Sequence, residues 1–451
     1  MTTKKYYICG FLRKKIRQMY YLKELIYIFI SSFLKAGYTF TFRNVITTGY
    51  PKVKRNKPAI FVANHQNTFM DGVVMVYTSG TSYPNILVRA DIFKSKLAYN
   101  ALSTIKLMPI YRKRDGVNTQ SQNEQIFEQC YEIFSRRGVV ALFPEGNHAF
   151  PRKLRTLQKG AARIAFQAEE EKNWNLNLSI IPVGLQYEHH TERWHDLYVH
   201  YGEPTLVNSI KEDFEENPQK TYKEATEIIR AGISAEMIDI EWEEEIPLFE
   251  KIRDLAKPES KKRARDFKSL VHSEMHLING LTAKLKADES VKNNFKERVQ
   301  QLHQKLEKTG INFDYDISKP SILKILGLGL IAILLLPFYL VLKVAAFIPN
   351  YIIEQLIIKK VKDHTWHLSL RFAISAVLFP VYLGILWLVL GFIFGLLLSS
   401  IIIFSFPIVA VLGLEARHWW LALKNAIKIF NNNELADKRS ALVKELYALF
   451  D

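Results

Sequence analysis

Cysteine is nearly missing. Cys9 and Cys130 are the two present in 451 residues, which excludes a disulfide framework and fits a reducing compartment. Acidic residues are scarce at the front, where residues 1–60 hold thirteen Lys/Arg and a single acid, Glu24. Such a basic segment, interleaved with Tyr, Phe, Leu and Ile, suits an anionic membrane surface, at about 1 kcal/mol per basic side chain. Nucleic acid is the competing reading of the charge, but no binding motif accompanies it. A signal-peptide cleavage site is also lacking, because Lys35 and bulky aromatics follow the apolar "LIYIFISSFL". No Gly-x-Ser-x-Gly elbow occurs and neither cysteine adjoins a histidine, so no covalent nucleophile is conspicuous.

Charge of either sign vanishes from Phe372 to Leu414, a run of 43 residues. A bilayer core needs only about 20 residues per helix, so this run fits a helical hairpin, with breakpoints offered by Pro380, Gly384, Gly391, Gly395 and Pro407. A shorter apolar run, 325–342, carries Pro337 inside it and is flanked by Lys324 and Lys343. It could span or enter and return. The expected molecule is an integral membrane protein with its α/β domain on the cytoplasmic face.

Between these ends the pattern is that of an α/β domain. Residues 1–37 read as basic amphipathic membrane-surface helices, and "YTFTFRNVITTGY" alternates like an edge strand. Short apolar runs at 58–63, 85–89, 105–111, 138–143, 178–186 and 197–201 alternate with helical segments at 68–79, 94–103, 120–136 and 156–170. That rhythm implies a mostly parallel sheet covered by helices, over 38–207. Residues 208–320 read as a charged helical arm without chemistry, 321–414 as membrane segments, and 415–451 as a C-terminal amphipathic tail.

The chemistry concentrates at strand ends. In "PAIFVANHQNTFMDG", His65 and Asp71 lie six apart. A continuous helix would set them roughly 240° apart, and a strand would separate them by roughly 20 Å. They meet only if the chain turns between them, which a strand ending near Ala63 and a helix starting near Thr68 would supply. The bland alternative is that Asp71 closes a capping box begun at Thr68 and His65 is a hydrogen-bonded loop histidine. The functional alternative is an imidazole that accepts a proton from a hydroxyl while a carboxylate fixes its tautomer. Arg112, in "MPIYRKRDG", ends another strand, where its planar fork can grip a phosphate; Lys113 and Arg114 read as solvated charge. Glu145 and Gly146 break the strand "VVALF". Arg152, Lys153, Arg155 and Lys159 follow near a helix N-terminus, where a basic group would complete an anion site. Pro182, inside "SIIPVGLQY", is expected at an edge or a bulge. The three histidines of "EHHTERWHD" sit in a hairpin loop and match no zinc spacing.

In this order, "NHQNTFMD", "PIYR", "FPEGNH" and "IIPVG" resemble the four motifs of the glycerophospholipid acyltransferases, which include the lysophosphatidic acid and glycerol-3-phosphate acyltransferases. The resemblance covers about residues 40–205. It implies that His65 deprotonates an acceptor hydroxyl for attack on an acyl thioester, with Asp71 in support. It further implies that Arg112, Glu145 and Gly146 position the acceptor's glycerol phosphate, and that Lys159 matches the basic residue after the third motif. No cofactor is implied; acyl-CoA or acyl-carrier protein is the donor, and a lysophospholipid or glycerol phosphate at the bilayer is the acceptor. The chain departs from the usual pattern twice. Five residues rather than four separate His65 from Asp71, and Asn147-His148 stands where Thr-Arg is common. Rival readings are a non-catalytic lipid-binding protein of the same fold and a lipid-ester hydrolase.

Overall fold

The structure is a computed structural model that describes residues 22, 24–50, 57–80, 82–112, 119–264 and 267–449. Most of the expected basic N-terminal helix lies outside the described residues, as do Lys113 and Arg114. Residues 24–38 form helix α1. There follow β1 (Phe42–Thr48), β2 (Ala59–Ala63), α2 (Thr68–Thr78), β3 (Asn85–Arg89), α3 (Lys96–Thr104), β4 (Leu107–Ile110), α4 (Thr119–Ser135) and β5 (Val139–Leu142). The domain closes with α5 (Gly160–Glu171), β6 (Ser179–Tyr187), β7 (His195–Tyr201) and β8 (Thr205–Leu206).

The strands form one sheet in the order β1-β7-β6-β2-β5-β3-β4, with β8 beside β6. β2, β3, β4, β5 and β6 run parallel, while β7 and β8 are antiparallel to β6. Alternation along β2 explains the covered sheet. Ile60 and Val62 enter a core with α4 and α5, whereas Ala59, Phe61 and Ala63 enter another with Met70, Val74 and Met75 of α2. Both faces are buried, so the strand reads as an unbroken apolar run. β1 is an edge strand, as its alternation predicts.

Pro182 departs from expectation. It lies in a central strand, opposite Val62 of β2. Its carbonyl accepts from the Gly202 amide at 2.8 Å, in the gap between β7, which ends at Tyr201, and β8, which begins at Thr205. The missing N–H points toward that same gap, where no ladder partner is lost. Gly184, two residues on, is required by close approach, since a Cβ there would meet the Glu236 carbonyl oxygen at 1.8 Å.

The expected helical arm is a packed unit. α6 (Lys211–Glu216) and α7 (Pro218–Ala235) close the α/β core through Phe214, Tyr222, Ile229 and Ile233. α8 (Ile246–Arg263), α9 (Phe267–Ala287) and α10 (Glu289–Lys308) bury Phe249, Leu281 and Val299 in a separate core. The apolar segments that follow are α11 (Ile322–Ala345), the short α12 (Phe347–Tyr351), α13 (His367–Phe394) and α14 (Leu396–Phe430). The C-terminal stretch is not a free tail. α14 runs on to Phe430, and α15 (Asn433–Ala448) adds Leu442, Val443 and Leu446 to the core of α8–α10. Buried Arg439 locks it there, donating to both carboxylate oxygens of Glu259 at 2.7 and 2.6 Å.

Three helical segments, Ile322–Ala345, His364–Phe394 and Leu396–Phe430, are long and apolar enough to cross a membrane. Of the anticipated breakpoints only Gly395, at φ +83°, separates two helices; Pro337, Pro380 and Pro407 stay inside theirs. α13 and α14 form a hairpin joined by a hydrogen bond from Trp387 Nε1 to Ser400 Oγ. Phe338 and Leu342 lie against Gly413, and Asn425 reaches the Asp316 carbonyl, so α11 is antiparallel to α14. α11 and α13 therefore run in the same direction, and residues 346–366 return alongside them. Within that return, Thr365 Oγ1 lies 3.1 Å from His148 Nε2 of the α/β domain. In a bilayer this geometry puts residue 360 on the side of the α/β domain. A Lys360→Cys chain should react with an impermeant maleimide from that side alone; labelling from the opposite side contradicts the returning path.

Candidate active site

All five parallel strands end at one edge of the sheet. β2 lies between β5 and β6, where the strand order reverses, and α/β folds place ligands outside such a switch point. The loop after β2 is anchored first by Asn64, whose side chain accepts from the Leu185 amide at 2.7 Å and donates to the Leu185 carbonyl at 2.9 Å. The chain then turns through Gln66 and Asn67 into α2, with Thr68 at φ +36°. Left-handed backbone is costly for a β-branched residue. Here it turns the longer His–Asp spacing sharply enough for the two side chains to meet.

His65 Nδ1 lies 2.7 Å from Asp71 Oδ2. The carboxylate can only accept, so Nδ1 carries the hydrogen and Nε2 holds the lone pair of the neutral ring. Asp71 is fully buried. Its Oδ2 also accepts from the Gln66 and Asn67 amides at 2.8 and 2.7 Å, and its Oδ1 from the Tyr187 hydroxyl at 2.6 Å. The capping box at Thr68 does not form: Asn67 is the N-cap, and Asp71 reaches back to amides preceding the helix. Burial, and then the Asp71 charge, hold the Tyr187 hydroxyl well above the usual phenol range, so it stays a donor.

The imidazole of His65 stacks on Phe143 at 4.4 Å and is partly open, its side chain 16% exposed. Its backbone is held as firmly as its ring. Glu145 Oε1 accepts from the His65 amide at 2.6 Å, and Oε2 from Arg155 Nε at 2.7 Å. Arg155 also donates to the Asn147 carbonyl. The Glu145 side chain, 3% exposed, thus spends its oxygens on the protein. Gly146, at φ +69°, makes the turn that returns the chain beneath it.

His148, which replaces the common arginine, sits with its ring 5.5 Å from that of His65 and 6.0 Å from Trp366. Burial, and then His65, depress its pKa. Arg152 points away, donating to the Tyr187 carbonyl and Glu250. Lys159 is exposed at the N-terminus of α5. Arg112 ends β4, three strands from β2 and roughly 14 Å away by strand spacing, and lies 3.7 Å from Asp91. The structure brings His65, Asp71, Glu145 and Gly146 together, and leaves Arg112 and Lys159 at the periphery.

Residues 44–186 match the family model described as Acyltransferase. The α/β domain is an acyltransferase domain. Among solved structures, the chain is similar to the 1-acyl-sn-glycerophosphate (LPA) acyltransferase PlsC from Thermotoga maritima. The two share 16% identity at a TM-score of 0.35, over 47% of this chain and 80% of that one. No curated protein matches the chain.

The acyltransferase domain receives contacts that the motifs do not announce. Ser369 of α13 accepts from the Met70 amide at 3.2 Å, donates to the Asn67 carbonyl at 3.3 Å and meets the Thr68 hydroxyl. Thr365 and Trp366 flank His148. These residues lie about three hundred positions from the turn they touch in the case of Ser369 and Thr68, and no local pattern marks them. Tyr187 was within reach, because Ile181, Val183, Leu185 and Tyr187 alternate onto the face that α2 covers.

His190 is half-buried in the hairpin loop, with Nε2 3.2 Å from Gln66 Oε1. Burial, and then Arg152, hold its pKa well below the ordinary histidine value. The unfolded chain protonates His190 near pH ~6.5, so it binds the extra proton below that pH. Stability should therefore fall as pH drops below ~6.5, with His190 contributing up to about 1.4 kcal/mol per pH unit until its folded value is reached. Unfolding midpoints measured between pH 7.5 and 5.5 check this; a His190→Gln slope as steep as that of the parent chain contradicts it.

Proposed function

We propose that the protein is a membrane-bound O-acyltransferase that moves an acyl chain from an acyl thioester to the free hydroxyl of a lysophospholipid. The acceptor that fits best is 1-acylglycerol-3-phosphate. The observation that carries this reading is the His65–Asp71 couple at the open edge of an acyltransferase domain, with Nε2 unengaged among the described residues. The membrane helix α13 touching the same turn supports an acceptor delivered from lipid rather than from water.

In this mechanism His65 Nε2 takes the proton of the acceptor hydroxyl as its oxygen attacks the thioester carbonyl. Asp71 holds the hydrogen on Nδ1 and stabilises the imidazolium that forms. The tetrahedral intermediate then expels the thiolate, which recovers the proton from His65. The oxyanion needs donors nearby. The Gly146 amide is committed to the Phe143 carbonyl at 3.1 Å, which leaves the Asn147 and His148 amides as the backbone donors on this turn. Glu145 and Arg155 keep the His65 backbone in place. The resemblance assigns the acceptor phosphate to Arg112, which lies beside Asp91, and to the exposed Lys159. Holding hydroxyl and carbonyl together can supply about 7–11 kcal/mol of the barrier.

Three helices long and apolar enough to cross a membrane support the membrane-bound part of this reading. Phe392, Phe404 and Leu397 are 94%, 81% and 79% exposed, an apolar surface far larger than a water-facing protein carries. From Phe372 to Phe394 the hairpin arm rises roughly 34 Å, close to the ~30 Å of a hydrocarbon core.

His65→Ala should lower kcat/KM by about 10²–10⁴-fold, and Asp71→Asn should lower it as well, with His65→Ala unfolding at the midpoint of the parent chain. The check is thioester consumption by purified full-length chain with and without lysophosphatidate. An active His65→Ala chain removes the assigned base, and consumption independent of lysolipid makes the protein a hydrolase.

A further inference from the structure

Beyond the catalytic turn, a chamber of about 770 Å³ is lined by α1, α11, the return segment, α13 and α14. That size lies within the roughly 300–1,000 Å³ of small-molecule sites. Its two ends differ. Along α13 the lining runs from Arg371 to Leu383, twelve residues or roughly 18 Å, and along α14 from Arg417 to Phe406. The far end is apolar, with Phe379, Pro380, Leu383, Phe406 and Pro407.

The end beside the acyltransferase domain is cationic. Arg193 and Arg371 share the single carboxylate of Glu354, at 3.6 and 2.8 Å, and Glu192 lies 3.9 Å from Arg371. Arg417 lines the same end, is exposed, and forms no ion pair among the described residues. Two buried polar atoms on the lining, Ser375 Oγ and Trp194 Nε1, have no hydrogen-bond partner among the described residues. Buried polar groups without partners are uncommon. An amphipathic chamber with an uncompensated cation at one end and idle donors on its wall matches an amphiphile with an anionic head.

We propose that this chamber binds one anionic lipid, with an acyl chain between α13 and α14 and the head against Arg417 and Arg193. The site is separate from His65 but shares a helix with the catalytic turn, since Ser369 and Arg371 are two residues apart on α13. Occupancy braces α13 where it touches Thr68. The proposal does not depend on acyl transfer.

The test is native mass spectrometry of the detergent-purified full chain after addition of equal phosphatidylglycerol, phosphatidylcholine and oleate. An anionic lipid should be retained roughly five-fold or more over phosphatidylcholine, the scale of one basic side chain against an anionic lipid. Retained phosphatidylglycerol identifies a phosphate head, and retained oleate a carboxylate. Arg417→Glu, at an exposed position, should abolish the preference, and Ala376→Trp, which fills the chamber, should retain neither. Equal retention of phosphatidylcholine, an unchanged preference in Arg417→Glu, or undiminished binding in Ala376→Trp overturns the site. Binding is read without turnover. A chain that holds anionic lipid but transfers no acyl group keeps this site and loses the reaction above.

Discussion

The buried carboxylate of Asp71 is the constraint on which the rest depends. Four donors converge on its two oxygens: an imidazole N–H, two backbone amides and a phenol. Three come from the consecutive residues His65, Gln66 and Asn67 and the fourth from Tyr187, so one side chain ties the loop after β2, the first turn of α2 and the end of β6 into a single corner. A buried charge without such partners would cost several kcal/mol. With them it fixes the orientation of the His65 ring, the kind of preorganisation that the proposed role of His65 as a base requires. The strain at Thr68 is local to this corner and is offset by those bonds.

A second set of contacts makes the membrane unit part of the site. Leu368 and Phe372 of α13 enter the same core as Phe61 and Met70, and Ser369 between them binds the turn that joins His65 to Asp71. The helix is therefore not a detached anchor. Its first turn is packed like an interior helix, while its later turns are apolar, pack against α14 and are exposed on their outer side. The helical unit of α8–α10 and α15 clasps both ends of the membrane segments, since α10 leads into α11 and α14 into α15.

Much of this was legible in the residues. Short apolar runs and intervening helical segments placed the strands and helices of the sheet within a few residues, because two-sided burial leaves an unmistakable pattern. The spacing of His65 and Asp71 sets the condition that the chain must turn for them to meet, and the strand and helix signals on either side supply that turn. Other features were hidden for physical reasons. Pro182 reads as an edge or bulge residue, since a sequence does not reveal that two short neighbouring strands leave a gap opposite one central position. The segment after residue 207 looked like a solvated arm because its charged faces outnumber its apolar stripes, yet those stripes meet one another and α15 in a closed core. Thr365, Trp366 and Ser369 carry no local signature at all; their place at the site comes from packing between distant parts of the chain.

The most direct measurement is an experimental structure of the full chain in a lipid nanodisc with lysophosphatidate bound. The account predicts the acceptor's free hydroxyl within about 3.2 Å of His65 Nε2, on the side of the ring opposite Asp71. A hydroxyl seated elsewhere, with the His65 ring turned away from Asp71, would contradict it.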